Sequence, residues 1–207
     1  EDCANEGIVV FNTPGANANS VKELMLASMI AASRNMFDAV EWAATLKGKG
    51  AEVPKLVEKG KGQFSGHEIK GKKLGVIGLG AIGGLIANDA HNLGMDVLGF
   101  DAYLSVDTAW RLSRGIQKAN SPAQIYQECD YITLHVPLTP ETKGMINKEA
   151  LAMMKPGVTI LNFSRDGLVD SAAMLEALDS GKVAKYVVDF PTDEMLGHKN
   201  VICIPHL

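Results

Sequence analysis

From Lys73 onward, short apolar runs alternate with stretches whose apolar residues recur at helical spacing. The runs are KLGVIGL, MDVLGF, YITLHV, VTILNF, KYVVDF and VICI. Helical patterns lie between them at 81–93, 121–129, 148–154 and 170–180. Strands that are apolar throughout must be covered on both faces. Their alternation with helices predicts an α/β fold with a doubly wound parallel sheet and right-handed crossovers.

The first 72 residues read differently. GIVVFNTPG, at 7–15, predicts a short strand and a turn. After the polar ANANS, Ser20 and Glu23 fit a capping box that opens a long helix through VKELMLASMIAASRNMFDAVEWAATL. Apolar residues cover much of its circumference, among them Leu24, Met25, Met29 and Met36. Such a helix needs more than one neighbour, either inside its own domain or on a second subunit. The Lys- and Gly-rich stretch 47–73 predicts connecting loops, one helical turn near Lys55 and solvated lysines.

Composition removes several function classes. Of 207 residues, 46% are hydrophobic and 21% charged, a folded globular balance. The net charge of -4, with basic residues dispersed, argues against a nucleic-acid partner. No apolar run reaches the length of a membrane span and no secretory signal opens the chain. Cys3, Cys129 and Cys203 are widely spaced with no CxxC, which argues against a disulfide framework and a zinc site. The expectation is a cytoplasmic protein with no membrane partner and no metal.

The first chemical signal is LGVIGLGAIGGLIA, with G-x-G-x-x-G at Gly78, Gly80 and Gly83. A buried strand precedes it, a helix follows, and the next strand ends in Asp101. This context is that of a dinucleotide turn. Gly78 permits the tight bend, Gly80 leaves room for a pyrophosphate, and Gly83 lets the helix lie close to the strand. Asp101 can accept from both hydroxyls of an adenosine ribose and would repel a 2′-phosphate, so NAD is the expected cofactor. No G-K-[ST] follows, so the turn is not a P-loop.

Ligands of such a sheet sit at the carboxyl ends of its strands. Those ends carry His135, Val136 and Pro137; Phe163, Ser164 and Arg165; Asp189, with Glu194 soon after; and His206. An arginine, a carboxylate and a histidine are thus expected along one edge.

GLGAIG, Phe100-Asp101, HVPLTPETKGMIN, MMKPGVTILNFSRDGLVD, ALDSGKV and PHL together resemble the D-isomer-specific 2-hydroxyacid dehydrogenases. NTPGANANSVKELMLASM and IPHL are most similar to the branch that oxidises D-3-phosphoglycerate at the entry to serine synthesis. The resemblance implies a single NAD-binding domain over 1–207. Residues 1–50 would form a strand, a turn and a helix able to join two subunits, and 72–207 the Rossmann core. The substrate domain would be absent, the chain being cut just past the active site. By the same resemblance, His206 is the general base and Glu194 its carboxylate partner, with Asp193 the alternative because DFPTDEML departs from the family's DVFxxEP. Arg165 would hold the carboxylate of a small 2-hydroxy acid. Asp189 would lie near the nicotinamide amide, and Ala81, Ile82, Phe163 and Ser164 would touch the cofactor. Asp166 stands where the family has glycine, and could weaken Arg165 or point away. The family often dimerises through this domain, so a homodimer is expected. Sibling dehydrogenases of lactate, glyoxylate or hydroxypyruvate, and an NAD-sensing regulatory module on the same fold, are the competing expectations.

Overall fold

The computed structural model describes residues 2–11, 13 and 15–206. The chain runs through α1 (Asp2–Asn5), α2 (Ala18–Ser33), α3 (Met36–Ala44), α4 (Val53–Gly60), β1 (Lys73–Ile77), α5 (Ala81–Asn92), β2 (Asp96–Phe100), α6 (Val106–Arg111) and β3 (Gln117–Lys118). It continues through α7 (Pro122–Glu128), β4 (Tyr131–Leu134), α8 (Lys148–Met153), β5 (Val158–Asn162), α9 (Ser171–Asp179), β6 (Val183–Val188) and β7 (Val201–Cys203). The strands form one sheet in the order β3-β2-β1-β4-β5-β6-β7, all parallel. The doubly wound expectation therefore holds, and the strand order reverses between β1 and β4.

Period-two alternation builds two core layers. Ile77, Ile132, Leu134, Ile160 and Tyr186 face the layer closed by α7, α8 and α9. Their neighbours Val76, Tyr131, Leu161 and Val187 face the layer closed by α2 and α5. Among the described residues, four helices start on side-chain caps. Ser105, Ser121, Asn147 and Asp170 accept from the amides of Thr108, Gln124, Ala150 and Ala173. Each such cap stabilises its helix by about 1 kcal/mol.

The N-terminal region departs from expectation. Ile8 to Phe11 form no strand; their side chains stand exposed, and they pair with no strand of the sheet among the described residues. Asn12 and Pro14, part of the expected turn, lie outside the described residues. The capping box is not used either. α2 starts at Ala18, and Glu23 accepts from the Asn19 side chain instead (2.7 Å).

α2 is the expected long helix of 16 residues, but the helical run breaks after it and resumes as α3. Asn35 at the break is left-handed (φ +48°), a conformation Asn tolerates better than most residues. The cause is a crossing segment. The His67 amide donates to the Ser33 carbonyl (3.0 Å), and Asn35 donates to the Ser65 carbonyl (3.3 Å). Gly66 passes so close to Ser33 that a Cβ would lie 2.1 Å from its carbonyl oxygen. The loop region 47–73 is more helical than expected, with α4 flanked by 3-10 turns at Gly50–Glu52 and Lys61–Phe64. α6 and β3, six and two residues long, are too short to leave a periodic signal.

Candidate active site

The site begins where the strand order reverses. At the end of β1 the Gly78 amide donates to the Phe100 carbonyl (2.8 Å), and the His135 amide to the Ile77 carbonyl (2.7 Å). Gly78 is left-handed (φ +93°), and a Cβ there would lie 2.5 Å from the His135 carbonyl oxygen. A Cβ on Gly83 would lie 1.9 Å from the Gly78 carbonyl oxygen. A Cβ on exposed Gly80 would meet nothing within 4 Å. Two glycines of the motif thus serve the packing of strand, turn and helix, and the third leaves an open approach. α5 starts at this turn with no side-chain cap. The unpaired amides of its first turn, around Ala81 and Ile82, form a site for an anion.

Asp101 reaches back over the turn. Its two oxygens accept from the Leu79 and Tyr103 amides, both at 2.8 Å. Those bonds fix the carboxylate and leave a further lone pair on each oxygen. Beside it lies a cavity of about 360 Å³, lined by Leu79, Gly99, Asp101, Leu104, Ile116 and Lys118. A second cavity, of about 430 Å³, is shared by Gly80, Ala81, Asn88, Thr108 and Arg111. Thr108 and Arg111 escaped sequence reasoning because α6 did.

At the end of β4, the His135 ring lies 2.8 Å from the Thr133 hydroxyl through Nε2. Desolvation by the surrounding protein pushes its pKa down to about 3, so the ring is neutral at physiological pH. Val136 and Pro137 follow, and the Val136 carbonyl accepts from the Ser164 hydroxyl (2.8 Å).

At the end of β5, buried Asn162 donates to the Arg165 carbonyl (3.0 Å) and accepts from the Ser164 amide (3.2 Å). Phe163 is buried in the α2/α5 layer, while Arg165 is exposed. The Arg165 guanidinium donates to the Ser164 carbonyl (2.6 Å). Asp166 turns away from it and accepts from the Gly167 amide (2.8 Å), so the two form no ion pair.

The largest correction concerns His206. Its Nδ1 lies 2.7 Å from Asp189 Oδ2, and its ring lies 4.5 Å from that of Phe190. Neither Glu194 nor Asp193 is its hydrogen-bond partner, and both side chains are exposed. The reason is register. Val188 pairs with Cys203, and the Ile204 amide donates to the Val188 carbonyl (2.9 Å). The chain past β7 therefore runs beside Asp189, the first residue past β6. The intervening segment folds into a turn closed by the Met195 amide on the Thr192 carbonyl, with Met195 buried and Glu194 outward.

Asp189 is 5% exposed, and its Oδ1 has no hydrogen-bond partner among the described residues. A buried carboxylate oxygen left unpaired is costly, and points to a donor supplied from outside the chain. A carboxamide of a dinucleotide is such a donor. Together with the open face at Gly80, the α5 amides and the Asp101 carboxylate, the donor and acceptor set fits NAD. Among the described residues there is no cluster of three His, Cys, Asp or Glu suited to a metal, and no helix long and apolar enough to cross a membrane.

Comparison with known proteins agrees with this geometry. The family described as "D-isomer specific 2-hydroxyacid dehydrogenase, NAD binding domain" matches residues 26–207. D-3-phosphoglycerate dehydrogenase of Methanocaldococcus jannaschii is 38% identical over 212 residues, covering 100% of this chain and 38% of that protein. Apo D-lactate dehydrogenase from Escherichia coli superposes with a TM-score of 0.81 at 29% identity, over 99% of this chain and 63% of that one. D-lactate dehydrogenase from Aquifex aeolicus, complexed with NAD and lactic acid, gives 0.78 at 28% identity, over 99% and 64%. The chain thus spans under two fifths of the length of the curated relative and under two thirds of the solved ones.

Proposed function

The chain belongs to the D-isomer-specific 2-hydroxyacid dehydrogenase family through its NAD-binding domain, and from that premise we propose that it is the nucleotide half of an enzyme that oxidises D-3-phosphoglycerate at C2. The observation that carries the reading is the meeting of the Arg165 loop and the Asp189–His206 pair on the edge that bears the glycine turn. NAD, when bound, supplies the hydride acceptor.

The chain's own residues do the rest. Asp189, buried, accepts from Nδ1–H of His206 and so leaves Nε2 with the free lone pair. That nitrogen takes the substrate hydroxyl proton in oxidation and returns it in reduction. The Arg165 fork holds the substrate carboxylate bidentately. The Phe190 ring, tilted by 31° at 4.5 Å, packs against the imidazole. Asp189 takes the orienting role expected of Glu194 and keeps Oδ1 for the cofactor's amide. In this reading 1–207 is a single nucleotide domain, and a separate substrate domain closes over Arg165 and His206.

We also propose that the domain pairs with a second copy. Ile30, Met36, Phe37 and Val40 form an exposed apolar surface at the end of α2 and along α3. Only monomer by light scattering at micromolar concentration would remove the dimer.

Two of the similar solved structures are D-lactate dehydrogenases, which favours a sibling specificity as the second reading. One experiment separates them: NADH production by the enzyme that carries this chain, offered D-3-phosphoglycerate and D-lactate, with and without His206→Ala. Turnover selective for phosphoglycerate, reduced about 10²–10⁴-fold in kcat by the substitution, is expected. Selectivity for lactate would move the substrate and keep the mechanism. NADH binding without turnover on either acid would leave the regulatory module.

A further inference from the structure

We infer that Asn162 is a positioning residue that sets the aim of Arg165. This rests on the reading of Arg165 as the carboxylate fork. Asn162 is the last residue of β5, in the middle of the sheet, and is 1% exposed. A polar amide at the buried end of a strand is costly unless both its ends are paired. Here they are paired to one short loop. Nδ2 donates to the Arg165 carbonyl and Oδ1 accepts from the Ser164 amide.

Both bonds close on residues two and three positions ahead. They fold Phe163, Ser164 and Arg165 into a tight loop whose backbone is referenced to the rigid end of β5. A hydroxyl could not do this, because the loop needs a donor and an acceptor a fixed distance apart. The buried Tyr186 side chain, on β6, brings its hydroxyl near the same amide. The Ser164 hydroxyl ties the loop to the Val136 carbonyl on the other side.

The outcome is a long, exposed arginine whose guanidinium, among the described residues, bonds only the Ser164 carbonyl, while Asn162 holds the Arg165 carbonyl and the preceding amide by two part-buried hydrogen bonds. The aim of the fork is set by that backbone. An error of about 1 Å in such a group can cost about 10²-fold in rate.

The test is a double-substitution cycle in the enzyme that carries this chain, with D-3-phosphoglycerate and D-lactate as probes. Asn162→Asp keeps the acceptor for Ser164 and loses the donor to Arg165. It should raise the KM for the hydroxy acid about tenfold and change the NADH Kd less than about threefold. Arg165→Lys should raise that KM further. The double variant should be no worse than Arg165→Lys alone, because Asn162 acts through a group already lost. A merely structural role would give additive losses, and additive losses overturn the inference. So does an unchanged KM in a folded Asn162→Asp. If Arg165→Lys itself leaves KM unchanged, the reading of Arg165 falls and takes the inference with it. Should Asn162→Asp not fold, Tyr186→Phe loosens the same amide. A rise of about two- to threefold in KM that disappears in the Arg165→Lys background supports the inference, and a rise that persists there overturns it.

Discussion

At the edge where the strands begin, polar groups are paired with one another. Lys73 binds Glu128 (2.8 Å), and that partner raises its pKa. Burial works against the charge on Asp130, but the Lys73 amide and the Lys155 ammonium hold its carboxyl below the ordinary value. The Tyr131 hydroxyl sits between Ser33 (2.8 Å) and His67 (2.7 Å). At the opposite edge, where the strands end, Asp189 keeps an oxygen without a partner among the described residues, Arg165 donates to the Ser164 carbonyl of its own loop, and the α5 amides open beside an uncovered Gly80. The same sheet supports both edges. Satisfied groups tie elements together, whereas groups left open are held by neighbours and face a ligand.

The sharpest way to break this comparison uses two glycines three residues apart. Gly83→Ala forces a Cβ onto a backbone carbonyl and should cost about 3 kcal/mol or more, or prevent folding. Gly80→Ala meets nothing in the chain and should change stability by less than about 0.5 kcal/mol, yet weaken NADH binding about tenfold or more. Urea unfolding and NADH fluorescence titration read the two effects. Equal losses of stability would mean that the turn is packed throughout, with no open face.

Next in size is an acid effect at the ligand edge. The pKa of His135 is about 3 when folded and 6.5 ordinarily. Between those values the unfolded chain binds the extra proton, so stability is full above pH 6.5 and declines as pH falls toward 3. By pH 5 the loss is about 2 kcal/mol. His135→Gln should flatten that slope between pH 7.5 and 5 in urea unfolding. An unchanged slope would remove His135 from the acid response.

The smallest effect lies at the paired edge. Tyr131→Phe removes the shared hydroxyl and should cost about 1–2 kcal/mol through Ser33 and His67 left unpaired. NADH affinity should not change. A weakened affinity would show that the two edges are coupled, against the division drawn above.

Much of this was legible from residue order. The six principal strands, the glycine turn and Asp101 depend on local spacing. Period-two runs and a G-x-G-x-x-G between strand and helix are complete within about 30 residues. Short elements such as α6 left no such signal, and with it went Thr108 and Arg111. Asn162 was visible as an amide in a largely apolar strand, but its partners lie in a loop whose path no spacing reveals. The unused strand at 7–11 shows the converse, since an apolar run becomes a strand only if a sheet edge reaches it.

The sequence by itself determined the sheet, the site edge and the dinucleotide chemistry, because each follows from periodicity or from residues close in the chain. Only the tertiary structure decided that His206 pairs with Asp189 rather than Glu194, and that the long helix ends at Ser33, before the break at Asn35. The first depends on how β7 registers against β6, and the second on residues 65–67 crossing the end of α2. Both are contacts between segments 15 or more residues apart. Their geometry is set by packing of the whole sheet, and no local pattern encodes it.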